Sequence, residues 1–337
     1  MKGEQNMKKL INSCECVLEE MIEGTLKASD GALRRLSSTN VLVRADAPVK
    51  GKVALVSGGG SGHEPAHAGY VGAGMLDAAV CGEVFTSPTP DQVYQAIKAV
   101  DSGSGTLLIV KNYTGDVMNF EMAKGLAAAE GIDVEMVVVN DDVAVEDSSF
   151  TAGRRGICGT VLVHKCAGAK ADMGGSLAEV KAVAEKVIAG VRSMGMATEP
   201  SVVPANGKPN FTLADDEIEI GIGIHGEPGT HREKIKSADA TVDELLGIIL
   251  ADMDLRADDE VAPILNGMGG TPLMELDILY NHLHDALEAK GFKVVHPLVG
   301  NYMTSIEMKG FSITLLKLDE ELKELLGYKS YAPAMRV

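Results

Sequence analysis

The chain has 337 residues, of which 48 are acidic and 31 are basic, and its formal net charge is −17. Hydrophobic residues make up 45% of it and the 38 glycines are spread along its length, which is typical of a globular protein and not of a disordered one. Because a chain this acidic repels phosphate backbones and anionic lipids, we expect neither nucleic acid nor a membrane surface among its partners.

The five cysteines are odd in number, and none stands in a C-x-x-C pair. The chain shows no hydrophobic leader at its start and no apolar run near the ~20 residues of a membrane span. These features predict a reduced, cytoplasmic protein.

The first half alternates short apolar runs with helical patterns. The runs at 52–57, 106–112 and 134–142 are apolar on both faces, as buried strands of a parallel sheet are. A long helical pattern over 176–195 opens with a Ser-x-x-Glu capping box. We therefore predict a mostly parallel sheet that is covered by helices on both sides.

A change of texture at 196–211, with three prolines and no helical period, indicates a domain boundary. Beyond it, an alternating strand breaks at Gly-Glu-Pro-Gly (226–229), and further strands and helices follow. The predicted fold class is α/β, with two α/β domains that each hold a mostly parallel or mixed sheet flanked by helices. The N-terminal domain covers 7–195 and the C-terminal domain covers 196–337.

Three polar, glycine-containing loops, at 57–67, 111–119 and 225–230, each hold a residue capable of acid–base or nucleophilic chemistry. In open α/β sheets, ligands bind beyond the carboxyl ends of the strands, where such loops lie. One active site would explain all three loops together, whereas structural roles would need a separate explanation for each.

The loop GGGSGHEPAH at 58–67 matches no nucleotide motif. A Walker-type loop needs a lysine after its glycines, and the G-x-G-x-x-G fingerprint also fails here. The letters HEPAH match the H-E-x-x-H zinc signature, but Pro65 stands between two histidines that a zinc site needs on one continuous helix. We expect a helix that begins at Pro65, with His63 in the loop before it and His67 within its first two turns.

Each candidate residue also has a simpler structural explanation. His63 could merely hydrogen-bond a neighbour in a tight turn, and Asp116 could be the N-cap of the following helix. His225, which we place at the end of an alternating strand, could be a buried histidine satisfied by core groups. Taken one residue at a time, the sequence leaves these alternatives open.

Several sequence blocks follow one another in a recognisable order. They are GGGSGHEP, GEVFTSPTPDQ, IVKNYTGDVMNFEMA, DDVAV with TAGRRGICGTV, FTLADDEIEIGIGIHGEPG and GFSITLLKLD. Together they resemble the substrate-binding subunit of the dihydroxyacetone kinase family, from about Met7 to the C-terminal PAMRV. Since the resemblance involves many separate blocks, it is far more specific than any single motif.

The resemblance implies a role for each candidate residue. His225 matches the histidine that forms a covalent hemiaminal with the ketone of dihydroxyacetone, and glycerol, which has no carbonyl, would be rejected by such a capture. His63 and Asp116 match the candidates for orienting and deprotonating the terminal hydroxyl, and the choice between them stays open. The implied substrate contacts are Gly60, Ser61, Gly62, His63, Lys111, Asp116 and His225.

Phosphoryl transfer also needs a nucleotide, magnesium and groups that clamp the phosphates, and the sequence holds no motif for these. The resemblance implies that this chain binds no cofactor and no metal. ADP or ATP and Mg²⁺ would lie on a separate, helical nucleotide-binding kinase subunit of the L type, which a phosphotransferase-system donor subunit of the M type recharges. Because the chain ends without the helical nucleotide domain of the fused kinases, we expect the separate K subunit, which is usually a homodimer.

Three other functions compete with this interpretation. Some relatives use the same pocket to sense dihydroxyacetone and regulate transcription, although a sensor would not need to retain His63 and Asp116. A kinase subunit for another short ketose, such as a tetrulose, would capture the carbonyl in the same way. A nucleotide-dependent dehydrogenase is disfavoured by the failed dinucleotide fingerprint.

Overall fold

The computed structural model describes residues 8–146 and 151–337 of the chain. Among these residues, none of the helices combines the length and the apolarity that crossing a bilayer requires. The α-helices of the described residues are α1 (Val17–Ala28), α2 (Pro90–Val100), α3 (Thr114–Ala129), α4 (Thr160–Asp172), α5 (Leu177–Gly190), α6 (Ala238–Ala251), α7 (Leu273–Ala289) and α8 (Glu320–Gly327).

The strands of the described residues form two large sheets and one small hairpin. The first sheet holds β1 (Leu33–Arg35), β2 (Val41–Arg44), β3 (Ala54–Ser61), β4 (Ala78–Val84), β5 (Thr106–Lys111) and β6 (Val134–Val139). The second holds β7 (Val191–Glu199), β8 (Glu217–Ile220), β9 (His231–Lys234), β10 (Glu260–Gly267), β11 (Lys293–Val294), β12 (Leu298–Gly300) and β13 (Lys309–Lys317), and the hairpin holds β14 (Tyr331–Ala332) and β15 (Met335–Arg336).

The first sheet is mostly parallel, in the order β1-β2-β4-β3-β5-β6 with an antiparallel edge at β1 and β2. Strands β3 and β5 are buried along their whole length. Helices α2 and α3 cover one face of this sheet, and α4 and α5 cover the other. The runs at 52–57 and 106–112 therefore became central parallel strands, as predicted, and the run at 134–142 became β6, a partly buried parallel strand at the edge of the sheet.

The second sheet is mixed, in the order β11-β10-β13-β7-β8-β9, with β12 also paired to β10. Helices α6 and α7 pack on its outer face. Its inner face shares one apolar core with α4, α5 and α8, so these helices lie between the two sheets. The predicted α/β class, with sheets flanked by helices, is confirmed.

Strand β7 covers residues that we predicted as the end of a helix and the start of a domain boundary. The capping box of Ser176 and Glu179 is present, but α5 ends at Gly190 and the rest of the predicted helix belongs to β7. The backbone from Val191 onward pairs with β13, and this long-range pairing outweighs the local helical pattern. Strand β7 runs across position 195, where we placed the domain boundary. The division into domains 7–195 and 196–337 stays a prediction.

A buried ion pair anchors the loop that follows β8. Arg155 is fully buried, and its Nε donates to Asp142 Oδ2 at 2.8 Å while its Nη2 donates to the carbonyl of Gly221 at 2.7 Å. The amide of Gly221 donates in turn to the carbonyl of Gly195 in β7 at 2.7 Å. The loop is thereby tied both to the end of the first sheet and to the second sheet.

Replacing Arg155 with methionine would leave the Asp142 carboxylate buried without its partner, so we expect the free energy of unfolding to fall by about 3–5 kcal/mol. Urea unfolding followed by circular dichroism measures this. The neighbouring Arg154→Met variant is the matched control: Arg154 pairs with Asp252 at a partly exposed position, and its loss should cost about 1 kcal/mol or less. Equal losses in the two variants would contradict the assigned role of Arg155.

Candidate active site

Glycines at the end of β3 allow another loop to close over this strand. Gly60 lies in the strand, and a Cβ there would come within 2.5 Å of the Thr86 backbone nitrogen. The chain then turns at Gly62, whose φ of +105° favours glycine. The hydroxyl of Ser61 donates to the carbonyl of Gly82 at 2.7 Å. The side chain of Ser61 thus already makes a structural hydrogen bond. Its role as a substrate contact stays a prediction.

The prediction of a helix from Pro65 is wrong. The segment forms turns, and a short 3₁₀ helix covers Ala68–Tyr70. The hydroxyl of Thr304, from the second half of the chain, donates to the carbonyl of Glu64 at 2.8 Å. A hydrogen bond to a remote segment therefore holds the backbone at the point where we expected the helix to begin. His67, which we placed in that helix, lies ahead of the 3₁₀ turn and is buried.

His63 is fully buried at the turn after β3. Its Nδ1 donates to the carbonyl of Thr304 at 2.7 Å, and its ring stacks on Phe85 with centroids 5.2 Å apart. Its Nε2 lies 3.0 Å from Nε2 of His225. Burial, together with the positive charges of Lys111 and His225, lowers the pKa of His63 well below its usual value.

His225 lies in a loop and not at a strand end as predicted, because β8 already ends at Ile220. Glu227 folds back on it: one carboxylate oxygen accepts from the His225 amide at 2.9 Å, and the other lies 2.9 Å from its Nδ1. Burial would raise the pKa of Glu227, but the charge of His225, a hydrogen bond from it and the charge of Arg155 lower it to about 2. Glu227 is therefore an anionic acceptor for the Nδ1 proton of His225.

The two imidazoles face each other through their Nε2 atoms. Nδ1 of His63 is placed to donate to a carbonyl, and Nδ1 of His225 is placed to donate to a carboxylate. A hydrogen bond between the two Nε2 atoms, which lie 3.0 Å apart, therefore needs a further proton.

Lys111 and Asp116 form the second half of the site. Lys111 is the last residue of β5, and Asp116 is the third residue of α3, where Tyr113 occupies the N-cap position. The N-cap alternative for Asp116 is therefore wrong. A Cβ added at Gly59 would lie 3.4 Å from Lys111 Nζ and 3.6 Å from Asp116 Oδ2, so both groups point toward this glycine of β3.

Both of these buried groups retain unused hydrogen-bonding capacity. Among the described residues, Nζ of Lys111 and Oδ1 of Asp116 have no hydrogen-bond partner. Leaving such a group unpaired costs about 1–3 kcal/mol, and more when it is charged, which is unusual unless a ligand supplies the partner. A small polar molecule beside Gly59 would meet a cationic donor and an anionic acceptor here.

The predicted residues thus converge. His63 contacts His225, and Lys111 lies near Asp116; the charge of Lys111 acts on His63, and that of His225 acts on Asp116. The arrangement joins two imidazoles in contact with a buried amine and a buried carboxyl that have unused hydrogen-bonding capacity. Such a set can capture a carbonyl and activate an alcohol.

Four residues of the site were not among those that the sequence predicted. Glu227 carried a weak signal, since it stands two residues after His225 in the same glycine-rich turn. Tyr113 and Phe85 lie edge-on to the His225 ring, with centroids 4.6 and 5.1 Å away, and Thr304 holds His63. Phe85 and Tyr113 stand in two of the sequence blocks quoted above, but no role was assigned to them, and Thr304 stands in none.

A cavity of about 300 Å³ lies beneath α1 and borders the candidate site, because its lining includes Gly59, Gly60 and Ser61 of β3 as well as His67 and Cys81. One other place in the described residues offers ligand atoms. His231, Glu233 and Glu244 bring ligand atoms close together near β9 and α6. The expectation that this chain binds no metal and no cofactor stays a prediction.

Replacing Glu227 with glutamine should change how stability depends on pH. A carboxyl whose pKa falls from 4.5 to about 2 on folding stabilises the folded state above pH 4.5. This contribution of about 3 kcal/mol is lost as the pH falls through 2. We therefore expect the difference in the free energy of unfolding between the parent chain and Glu227→Gln to shrink as the pH falls from 4.5 to 2. Denaturant titrations at several pH values measure this difference. A difference independent of pH would contradict the assigned charge of Glu227.

Comparison with characterised proteins agrees with the resemblance seen in the sequence. The chain is 58% identical to the dihydroxyacetone-binding subunit DhaK of PTS-dependent dihydroxyacetone kinase 1 from Listeria innocua, over 94% of this chain and 95% of that protein. It is 46% identical to the corresponding subunit of the PEP-dependent dihydroxyacetone kinase of Escherichia coli, over 98% and 99% of the two chains.

Solved structures agree in fold. The dihydroxyacetone kinase operon co-activator superposes with a TM-score of 0.88 at 38% identity, over 94% of this chain and 97% of that one. The native dihydroxyacetone kinase of C. freundii gives a TM-score of 0.88 at 36% identity, over 98% of this chain and 60% of the longer one. The Dak1 domain model matches residues 23–334. The chain therefore belongs to the Dak1 domain family.

Proposed function

We propose that this chain is the dihydroxyacetone-binding subunit of a dihydroxyacetone kinase, and that a separate subunit phosphorylates the bound substrate to dihydroxyacetone phosphate. The observation that carries the proposal is the His225 imidazole, held between His63 and Glu227 near the unpaired groups of Lys111 and Asp116. The 58% identity to the Listeria innocua kinase subunit supports it.

Capture of the ketone begins with the proton between the two Nε2 atoms on His63, which leaves the Nε2 lone pair of His225 free. This lone pair attacks the carbonyl carbon, the carbon–oxygen π bond breaks, and the oxygen takes the proton from His63 to become a hydroxyl. Because the pKa of His63 is low, its protonated form is a strong acid for this step. The positive charge ends on the substituted His225 ring, where the Glu227 carboxylate stabilises it.

Asp116 is the base that we propose for the terminal hydroxyl. Its Oδ1 is unpaired among the described residues, whereas Nε2 of His63 is engaged with His225. Burial raises the pKa of Asp116, although Lys111 and a hydrogen bond from Ser87 act in the opposite direction, and a raised pKa makes the carboxylate a better proton acceptor. The Lys111 ammonium would compensate the negative charge that develops on the substrate oxygen.

The nucleotide and Mg²⁺ belong, in this proposal, to a helical partner subunit of the L type. The sequence of this chain contains neither of the phosphate-binding loop motifs. A phosphotransferase-system donor of the M type would recharge that nucleotide, in line with the PTS-dependent and PEP-dependent kinases whose subunits this chain resembles. The chain itself would act as a cytoplasmic homodimer.

A dihydroxyacetone-sensing co-activator is the second candidate function. The TM-score of 0.88 with the operon co-activator favours it, since a sensor could use the same capture on His225. Identity to that protein is 38%, against 58% to the kinase subunit, and a sensor has no use for an unpaired carboxylate at Asp116. A kinase subunit for a tetrulose would share the mechanism and differ only in the ketone that it captures.

Replacing His225 with alanine removes the attacking nitrogen. We expect no covalent adduct after incubation with dihydroxyacetone, and weaker discrimination against glycerol, with the adduct measured by intact-protein mass spectrometry and peptide mapping. The exposed His231→Ala variant is the matched control and should form the adduct as the parent chain does. An adduct that persists in His225→Ala would contradict capture at this residue. An adduct that the parent chain forms with a tetrulose but not with dihydroxyacetone would mean that the substrate is a tetrulose.

Replacing Asp116 with asparagine keeps the size of the side chain and removes the base. We expect the adduct to form as in the parent chain, while phosphoryl transfer slows by about 10²–10⁴-fold. The rate is measured with the nucleotide-binding subunit and Mg-ATP. An unchanged rate would make His63 the base, and a parent chain that forms the adduct but transfers no phosphate would favour the sensor.

A further inference from the structure

Phe85 has an unusual backbone for a large apolar residue. It follows β4 directly, and its φ of +56° lies in the left-handed region, where a side chain crowds the main chain. The residue is only partly buried. A side chain that merely filled space at such a position would gain little from burial to offset the strained backbone. Its contacts therefore point to a role in the site.

The surrounding backbone holds Phe85 in this conformation. Its amide donates to the carbonyl of Ser61 at 2.9 Å, and the next amide, that of Thr86, donates back to the carbonyl of Glu83 at 2.9 Å. A Cβ at Gly82 would lie 2.0 Å from the Thr86 carbonyl oxygen, so this turn packs directly on the main chain of β4. The turn is therefore fixed to both β3 and β4.

A second strained residue lies against the same place. Ile306 has a φ of +55°, which its β-branched side chain makes still less favourable, and its amide donates to the carbonyl of Gly62 at 2.7 Å. A Cβ at Gly62 would lie 2.8 Å from the ring of Phe85 and 3.1 Å from Cγ1 of Ile306. Of the described residues with a left-handed backbone, the two with large apolar side chains thus meet at the residue before His63.

The ring of Phe85 contacts both imidazoles of the site. It lies nearly parallel to His63, with 20° between the ring planes and 5.2 Å between the centroids. It lies edge-on to His225, with 87° between the planes and 5.1 Å between the centroids. Both arrangements are favourable for aromatic rings. One side chain therefore packs on two histidines that come from distant parts of the chain.

This contact matters because a single hydrogen bond does not fix the tilt of an imidazole. The bond from His63 Nδ1 to the carbonyl of Thr304 holds that nitrogen and leaves the plane of the ring free to tilt. A tilt would carry Nε2 of His63 out of line with Nε2 of His225, 3.0 Å away. The flat face of Phe85 resists this movement. The alignment of the two Nε2 atoms therefore depends in part on Phe85.

We propose that Phe85 is a positioning residue that fixes the ring planes of His63 and His225 for capture of the ketone, and that its left-handed backbone serves to bring its ring against both. The proposal rests on the function proposed above, because it assigns a role within the capture step. Phe85 acts through the two histidines and takes no part in forming the bond.

The backbone strain leads to an unusual order of stability. Phe85→Ala and Phe85→Gly both remove the ring, but glycine also relieves the left-handed backbone, so we expect Phe85→Gly to unfold at a higher urea concentration than Phe85→Ala. Phe292 is the matched control, since it is a partly buried phenylalanine on the core of the second sheet and its backbone is not left-handed. There the order should be reversed, because glycine loses more conformational freedom on folding than alanine does.

The functional test follows the rate of adduct formation by intact-protein mass spectrometry at several dihydroxyacetone concentrations. Phe85→Leu keeps the apolar volume and loses the flat ring, whereas Phe85→Gly removes both. We expect the limiting rate to fall by about tenfold or more in both variants, because the two imidazoles lose their alignment. The half-saturating concentration should stay within about threefold of the parent value, since Lys111 and Asp116 remain in place. Phe292→Leu should match the parent chain in both quantities.

Three results would overturn the proposal. A parent-like limiting rate in Phe85→Leu would show that the flat ring is not needed. A limiting rate that is low in Phe85→Ala and restored in Phe85→Gly would mean that the rate follows stability alone. A Phe85→Gly variant less stable than Phe85→Ala would contradict the strain. A parent chain that forms no adduct would instead refute the proposed function, so the two failures are distinguishable.

Discussion

The contact between Nε2 of His63 and Nε2 of His225 is the constraint on which the rest of the site depends. These residues are 162 positions apart and meet at 3.0 Å. Each ring has its other nitrogen engaged, one by the Thr304 carbonyl and one by Glu227. A hydrogen bond between the two Nε2 atoms therefore needs a proton of its own, and in the proposed capture this proton passes from His63 to the ketone oxygen.

Buried hydrogen bonds on both sides of the contact hold its two histidines in place. Asn266, near the end of β10, accepts from the amides of Tyr302 and Met303 at 2.8 and 3.0 Å and donates to the carbonyl of Met303 at 2.8 Å, which sets the segment that presents Thr304. On the other side, the buried guanidinium of Arg155 fastens the loop before His225. Both anchors are buried polar groups that hydrogen-bond a remote segment of the chain, which favours one geometry over its alternatives.

A division of tasks follows from the charge of the chain. Its site brings the buried amine of Lys111 near the buried carboxyl of Asp116, whereas its acidic surface is a poor environment for phosphates. In the proposed function, separating substrate capture from nucleotide binding removes that conflict. The phosphoryl donor would then be positioned by contact between proteins.

By itself the sequence determined the central strands, because runs apolar on both faces have few other places to go. It also singled out His63, Lys111, Asp116 and His225, which the structure brings together, because they follow glycine-rich or strand-ending segments. The tertiary structure decided what no local pattern holds. Thr304 binds the backbone carbonyl of Glu64 within the turns that replace the helix predicted from Pro65, and pairing with β13 makes a strand of the end of the predicted helix at 191–195. These outcomes depend on bonds between segments remote in the chain, and the energy of such bonds outweighs local propensity.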